Sequence, residues 1–472
     1  MTAPLSTLLV DIAVEEVIGD PAVPVTEVTN DSRAVVPGAL YCCIVGRRAD
    51  GHDFAGAAVG AGASSLLVER TLDVAVPQVR VRSARRAMAP IAAAFFGHPS
   101  ARLPVVGVTG TNGKTTTVHL LAAVLAAAGR RTGVIGTLDG ALTTPEAPAL
   151  QRRLAGFVAD GFDAVAMEVS SIALDEHRAD AITFAAAVWT NLTQDHLDYH
   201  GDMEAYFAAK ASLFDPDRCR LAVLNADDAW GRRLLAAIDG RALPTVTYAL
   251  GDAEGLRLFP RRSTFRWRGT DVELPMGGRH NVANALAAAT TAAALGVPPA
   301  AVAEGLASAT TVPGRWEAVD EGQPFTVVVD YAHTPDGLAQ VLGAARAAAG
   351  GHRVLVVFGC GGDRDRAKRP QMAATATALA DLVVLTSDNP RSEDPLAIIG
   401  EAAAGAAPGA ALVVEADRRE AIALAIGRAA PGDLVVVAGK GHETGQVIGD
   451  RVVPFDDRAV VREVLQGAPA RW

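Results

Sequence analysis

The chain has little of what extracellular, redox or nucleic-acid-binding proteins are made from. Its 472 residues include four cysteines, Cys42, Cys43, Cys219 and Cys360, and no C-x-x-C pair. That excludes a zinc ribbon or dithiol centre and reads as reduced thiols inside a cell. Aromatic residues make up only 5% although half the chain is hydrophobic, so small-residue helices packed closely on sheets are expected. The net charge is −10 and no block of like charge occurs. A general nucleic-acid binder needs a basic stripe, and none is present. No apolar run is long enough to span a bilayer. The opening MTAPLSTLLVDIAVEEV has no basic n-region and meets an acid at Asp11, so a secretory signal is not expected and a cytoplasmic location is.

What is present is a repeated strand–loop–helix pattern. The length exceeds one ordinary core. Residues 1–100 alternate short apolar runs with turns and read as a small α/β domain. The stretch Phe96 to Pro104 reads as a linker. Residues 101–312 begin with VVGVTG and KTTTVHLLAAVLAAAGR, a strand and a helix that stops at Gly129. Further strands alternating with helices predict a mainly parallel, doubly wound sheet. Arg257–Gly278 alternates residue by residue and reads as an antiparallel addition. Residues 313–472 hold a second βα series, read as a Rossmann-like domain. None of its strands leads into G-x-G-x-x-G, which argues against NAD.

The segment TGTNGKTTT carries the clearest chemistry. Gly110, Thr111, Asn112, Gly113, Lys114, Thr115 and Thr116 lie between strand and helix. Backbone N–H groups and the helix dipole there favour phosphate, Lys114 can reach the terminal phosphates, and the Thr115 hydroxyl suits Mg²⁺. A common phosphate loop would have glycine at position 108, where Val108 stands. This is a variant loop, and no N-K-x-D-like base-reading motif accompanies it.

At this point the chain resembles the Mur ligases, which build the peptidoglycan stem peptide one residue at a time. The resemblance rests on that loop and on Asp31–Phe54, EVSS (168–171), TNLTQDHLDYHG (190–201), GRHNVANALAA (278–288), PGRWE (313–317) and DYAHTPDGL (330–338). Their order and spacing are those of the branch that adds the third residue. Three domains are implied: a small N-terminal UDP-sugar-binding domain (1–100), a central ATPase (101–312) and a C-terminal amino-acid-binding domain (313–472). The implied reaction joins meso-diaminopimelate to UDP-N-acetylmuramoyl-L-alanyl-D-glutamate through an acyl phosphate, with ATP as co-substrate and Mg²⁺ as cofactor. A monomer is expected.

The resemblance also assigns residues. Lys114, Glu168, His196 and Lys210 match catalytic positions. Thr115, Glu168, His196 and Lys210 are the implied metal ligands, with Lys210 converted by CO₂ to a carbamate. Read alone, Lys210 in YFAAKASLF would be a snorkelling helix lysine, and His196 a surface histidine. Asn281, Arg315, Asp330 and His333 match positions near the nucleotide. Ser32, Thr143, Thr144, Ser170, Glu176 and Arg178 match contacts to the muramoyl peptide.

In TSDNPRSEDP, the residues Asp388, Asn389, Pro390 and Arg391 match the signature of diaminopimelate-adding members. Arg364, Gly439 and Glu443 match the remaining contacts. A guanidinium can grip the distal carboxylate that distinguishes diaminopimelate from lysine. Departures fall near the muramoyl peptide: Ile172 stands where histidine is usual, Glu176 where glutamine is common, and Leu142 where a polar residue is common. Cys42 and Cys43 are also unusual in their strand. A carboxylate at 176 would repel an anionic peptide unless Arg178 compensates. Rival readings are a lysine-adding member, a folylpolyglutamate synthetase-like ligase, and a non-catalytic nucleotide-binding protein.

Overall fold

The β-branched runs become strands buried on both faces, which is why they lack polar alternation. The computed structural model describes residues 1–47, 49–140 and 142–467. Arg48, inside the Asp31–Phe54 motif, and the last residues of the 313–472 span lie outside the described residues.

Strands β1 (Val14–Ile18), β2 (Glu27–Thr29), β3 (Ala39–Cys42), β4 (Ser65–Val68) and β5 (Gln78–Val81) form one sheet in the order β1-β5-β4-β3-β2. Only β1 runs antiparallel to its neighbour. Helix α1 (Ala84–Phe95) starts on the Ser83 hydroxyl, which accepts from the Arg86 N–H. The expected linker after it is a connection, but a packed one. Phe96 and Leu103 are buried and Pro99–Ala101 forms a 3₁₀ turn.

The central sheet comprises β6 (Val105–Thr109), β7 (Thr132–Ile135), β8 (Ala164–Glu168), β9 (Ala186–Trp189), β10 (Ala222–Asn225) and β11 (Thr245–Tyr248), ordered β11-β10-β9-β6-β8-β7. All its pairings are parallel. Val106 and Val108 face the core under α2 (Lys114–Ala127), and Val105 faces the opposite core. Helix α3 (Met203–Ala211) packs on that second side. The alternating segment is an antiparallel sheet of β12 (Glu254–Leu258), β13 (Ser263–Trp267) and β14 (Thr270–Leu274). Helix α4 (Arg279–Ala294) follows and packs on α2, alanine against leucine and valine.

A third sheet holds β15 (Glu317–Val319), β16 (Thr326–Asp330), β17 (Val354–Cys360), β18 (Leu382–Ser387), β19 (Leu412–Val414) and β20 (Leu434–Ala438), in the order β15-β16-β20-β17-β18-β19. Only β15 is antiparallel. Helices α5 (Pro335–Ala348) and α6 (Lys368–Leu379) cover one face, and α7 (Arg418–Gly427) and α8 (Asp457–Gly467) the other. A hairpin of β21 (Gly445–Ile448) and β22 (Arg451–Pro454) follows β20. Among the described residues no helix is long and apolar enough to cross a membrane.

One buried ion pair ties α7 to α8. Arg418 and Asp457 are both fully buried, with Nε and Nη2 of Arg418 donating at 2.8 and 2.6 Å. Removing one partner strands the other charge, at a cost of about 3–5 kcal/mol. Asp457→Asn should therefore lower the urea midpoint markedly in an equilibrium melt. An unchanged midpoint would mean the pair contributes nothing.

Candidate active site

The phosphate loop joins β6 to α2 at the C-terminal edge of the central sheet, where open α/β sheets bind ligands. Gly110 and Gly113 have φ of +148° and +87°. A Cβ at Gly110 would fall 1.9 Å from the Thr190 hydroxyl, and one at Gly113 would fall 2.3 Å from Asn284 Oδ1. Both positions therefore require glycine. The segment after neighbouring β9 fixes the loop. Asn191 accepts from the N–H groups of Thr111 (2.8 Å) and Asn112 (3.0 Å), and Thr190 donates to the Asn112 carbonyl (2.6 Å). Gly113 gives α2 no side-chain cap, so the first-turn N–H groups face the loop.

Lys114 folds back on this loop, its Nζ donating to the carbonyls of Gly110 and Thr111, both at 2.8 Å. Burial holds its pKa below the usual lysine value, against the pull of Glu168. Thr115 donates to Glu168 Oε2 at 3.0 Å, and Arg315 Nη2 donates to the Thr115 hydroxyl at 3.4 Å. Glu168, at the end of β8 and buried, also accepts from the Thr137 N–H (2.8 Å) and hydroxyl (3.3 Å). Its carbonyl accepts from Thr144, whose hydroxyl accepts from the Ser170 N–H. Thr143 bonds Thr137, hydroxyl to hydroxyl, at 3.0 Å. Thr115, Glu168, Thr137, Thr144 and Ser170 thus form one connected polar run beside Lys114.

Lys210, on α3, is 1% exposed. Its Nζ donates to the Gly110 carbonyl at 2.9 Å and lies 4.8 Å over the Tyr206 ring. Burial, then repulsion from Lys114, pushes its pKa well below the usual lysine value. It does not snorkel to solvent. His196 has a left-handed backbone (φ 53°), and its Nε2 lies 3.4 Å from Asp195. Thr115 and Glu168 are hard oxygen donors in contact, the type magnesium takes alongside phosphate oxygens. His196 pairs with Asp195, and Lys210 with a carbonyl. No group of three or more His, Cys, Asp or Glu converges as a cation site among the described residues.

Two cavities open from this region. The first, about 270 Å³, is lined by Asn112, Thr115, Thr116, Asn281, Arg315 and Asp330 among others. Asn281 is held by its bond to the Gly277 carbonyl (2.8 Å). Asp330 is held by the N–H groups of Trp316 (2.7 Å) and Ala332 (2.8 Å). The second, about 660 Å³, is lined by His196, Arg364, Asp388, Asn389, Arg391, Gly439 and Glu443, with Ile172 in its wall. Tyr331 and His333 line both cavities and stand between them.

The second cavity is built at the ends of β18 and β20. Arg391 has φ 53°, with its N–H on the Val447 carbonyl (3.0 Å) and Nη1 on the Gly362 carbonyl (2.6 Å). Pro390 lends its carbonyl to the Glu393 N–H (3.0 Å). Asp388 Oδ1 is buried without a hydrogen-bond partner. Arg369, fully buried on α6, braces the loop through Glu393 (2.7 Å) and Glu401 (2.7 Å).

The hydrogen bonds from Arg369, then the Asp363 N–H, hold Glu393 down to about 2, against an ordinary 4.5. A depressed carboxylate stabilises the fold above its unfolded pKa, and that contribution is lost as pH falls through the folded value. Melting temperature should therefore fall between about pH 4.5 and 2. Glu393→Gln should be less stable at neutral pH and should show a shallower acid slope. Parallel slopes in both proteins would rule out this bracing.

The structure adds detail at two muramoyl-peptide positions. Arg178 compensates Glu176, as the sequence required of it. It pairs with Glu176 and with Glu146 (3.1 Å), and Arg85 of α1 pairs with Glu146 from the other side (3.0 Å). Two arginines and two glutamates balance, and they join α1 to the central sheet. Ser32 lies in a 3₁₀ turn capped by Asp31 and borders neither cavity. The N-terminal sheet's domain instead reaches the second cavity through Arg47, whose guanidinium lies 4.6 Å over the Tyr199 ring. Sequence reading also passed over Asn284, which crowds Gly113, and Lys440, which lies between the assigned Gly439 and Glu443.

Family models match three stretches: "Mur ligase family, catalytic domain" at 24–96, "Mur ligase middle domain" at 108–292, and "Mur ligase, glutamate ligase domain" at 314–441. A UDP-N-acetylmuramoyl-L-alanyl-D-glutamate--2,6-diaminopimelate ligase of Geobacillus thermodenitrificans is 47% identical, over 95% of this chain and 96% of its own length. The protein of the same name from Solibacter usitatus is 48% identical over 95% of each. A solved structure of such a ligase superposes with a TM-score of 0.69 at 33% identity, covering 99% of each chain. MurF of Thermotoga maritima, in complex with ADP, shares the fold at 20% identity with a TM-score of 0.65, over 93% of this chain and 96% of its own.

Proposed function

Because the chain belongs to the Mur ligase family, we infer that it is an ATP-dependent ligase joining meso-2,6-diaminopimelate to UDP-N-acetylmuramoyl-L-alanyl-D-glutamate. The observation that carries this reading is the pair of cavities separated by Tyr331 and His333. One borders the phosphate loop. The other has acids for an ammonium and an arginine for a carboxylate.

The dipeptide's γ-carboxylate oxygen attacks the γ-phosphorus of ATP, and ADP leaves. The amine of diaminopimelate attacks the resulting acyl carbon, the C–O bond to phosphate breaks, and the amine loses its proton. No side-chain nucleophile is required. Lys114 and the first-turn N–H groups of α2 stabilise charge on the transferring phosphoryl group. Thr115 and Glu168 would hold Mg²⁺, with His196 and a carbamate on Lys210 as the ligands expected at a second ion; bound magnesium would neutralise phosphate charge. Asn281, Arg315 and Asp330 face the nucleoside. Ser32, Thr143, Thr144, Ser170, Glu176 and Arg178 are assigned to the muramoyl peptide. Arg364, Asp388, Asn389, Pro390, Arg391, Gly439 and Glu443 are assigned to diaminopimelate. The three domains divide near residues 100 and 312, and the enzyme acts as a cytoplasmic monomer in peptidoglycan precursor synthesis.

Dipeptide labelled with ¹⁸O in its γ-carboxylate tests the reaction. One labelled oxygen should appear in each released phosphate, and only when diaminopimelate is present. Unlabelled phosphate would exclude the acyl phosphate, and no turnover would exclude the ligase reading.

A further inference from the structure

Lys440 follows Gly439 at the C-terminal end of β20, between strands β16 and β17. Its side chain is fully buried. The Nζ donates to Asn389 Oδ1 at 3.1 Å and to Glu443 Oε2 at 3.0 Å, and lies 3.7 Å from Asp388 Oδ1. A buried ammonium is retained only when its surroundings compensate the loss of water. Here the compensation comes from three groups that line the second cavity.

Two consequences follow from this geometry. The first is orientation. Asn389 Oδ1 accepts from both Lys440 and the Val447 N–H (2.9 Å), so its amide can point only one way. Its Nδ2 then donates to Glu443 Oε2 at 2.9 Å. The second is charge. Of the charged groups assigned to diaminopimelate, Asp388 and Glu443 are negative and Arg364 and Arg391 positive, so without Lys440 they sum to zero and with it to +1. The distal end of diaminopimelate, one ammonium and one carboxylate, is neutral and is tolerated by a net positive set. The distal end of lysine is a bare cation, which that set repels.

We propose that Lys440 is a positioning residue that sets selectivity for a diamino acid with a distal carboxylate over one without. It fixes Asn389 and Glu443 and cancels one of the two acids that would otherwise favour the bare cation. This rests on the ligase reading above and deepens it.

The experiment measures kcat and KM for diaminopimelate and for L-lysine in the full-length enzyme, with ATP and dipeptide saturating. Wild type must first turn over diaminopimelate; if it does not, the ligase reading fails, whatever Lys440 does. Lys440→Met should raise KM for diaminopimelate and lower the preference over lysine at least about tenfold, because a buried unit charge acts at short range with little screening. KM for ATP should stay within about twofold. Equal losses in kcat and in every KM, or an unchanged preference, would overturn the proposal.

Should Lys440→Met fail to fold, a second pair decides. Glu443→Gln, which leaves the groups at +2, should sharpen the preference for diaminopimelate. Adding Lys440→Met to it removes both members of the buried pair and returns the sum to +1. The double variant should be at least about tenfold less selective than Glu443→Gln alone. Equal selectivity in the two would overturn the proposal.

Discussion

Lys210→Ala should lose about two to three orders of magnitude in kcat, the usual loss when one charge-stabilising group is removed from such a site. KM for diaminopimelate should change little, because Lys210 does not border the second cavity. The argument begins with burial. An ammonium with 1% exposure and a single carbonyl acceptor is poorly compensated, and Lys114 repels it. Both effects shift Lys210 toward the neutral amine, the form that attacks CO₂. In the proposed carbamate the N–C bond would form, a proton would leave, and the amine would become an anion. An anion beside Lys114 would relieve the repulsion and add two oxygen donors near the phosphate loop. Short carboxylates such as formate or acetate should partly restore Lys210→Ala by entering the vacated space. Full activity of the alanine variant would remove Lys210 from the mechanism. Loss without any carboxylate rescue would remove the carbamate.

Arg391→Ala should lower kcat/KM for diaminopimelate about 10²- to 10³-fold, the range expected when one partner of a buried, hydrogen-bonded charge pair is truncated. Activity with lysine should change far less. The arginine is held before any ligand arrives. Its N–H and C=O bond Val447 and Gly449 of the hairpin (3.0 and 2.7 Å), and Nη1 is spent on Gly362. The left-handed φ of a non-glycine residue carries strain of about 1–3 kcal/mol, which these bonds offset. The remaining guanidinium edge is pre-aimed at the cavity. Arg391→Lys should not restore the loss, since an ammonium cannot reproduce the planar fork. Kinetics with both amino acids check this, and equal losses for diaminopimelate and lysine would separate Arg391 from selectivity.

The phosphate loop was legible in the sequence because its parts are contiguous: strand, glycines, lysine and helix within a few turns. The parallel sheets were legible for a similar reason, since strands buried on both faces read as unbroken Val and Leu runs. What escaped is what only folding brings together. Lys440 lies between the assigned Gly439 and Glu443, but its partners Asp388 and Asn389 lie some fifty residues away on another strand end. The Arg85–Glu146–Arg178–Glu176 chain crosses two domains, so the sequence raised only its Arg178–Glu176 link and missed Arg85 and Glu146. Tyr331 as a partition between cavities depends on how β16 meets the central sheet, which no local pattern encodes. The supposed linker escaped because its glycine and prolines read as breakers, whereas burial of Phe96 and Leu103 holds it in place.

The most direct test of the whole reading is a competition. Purified protein, ATP and magnesium are incubated with UDP-N-acetylmuramoyl-L-alanyl-D-glutamate and equal meso-diaminopimelate and L-lysine, and the nucleotide product is weighed by mass spectrometry. A tripeptide bearing diaminopimelate, with one ADP formed per product, is the expected result. A product bearing lysine, or ADP without any peptide product, would contradict it.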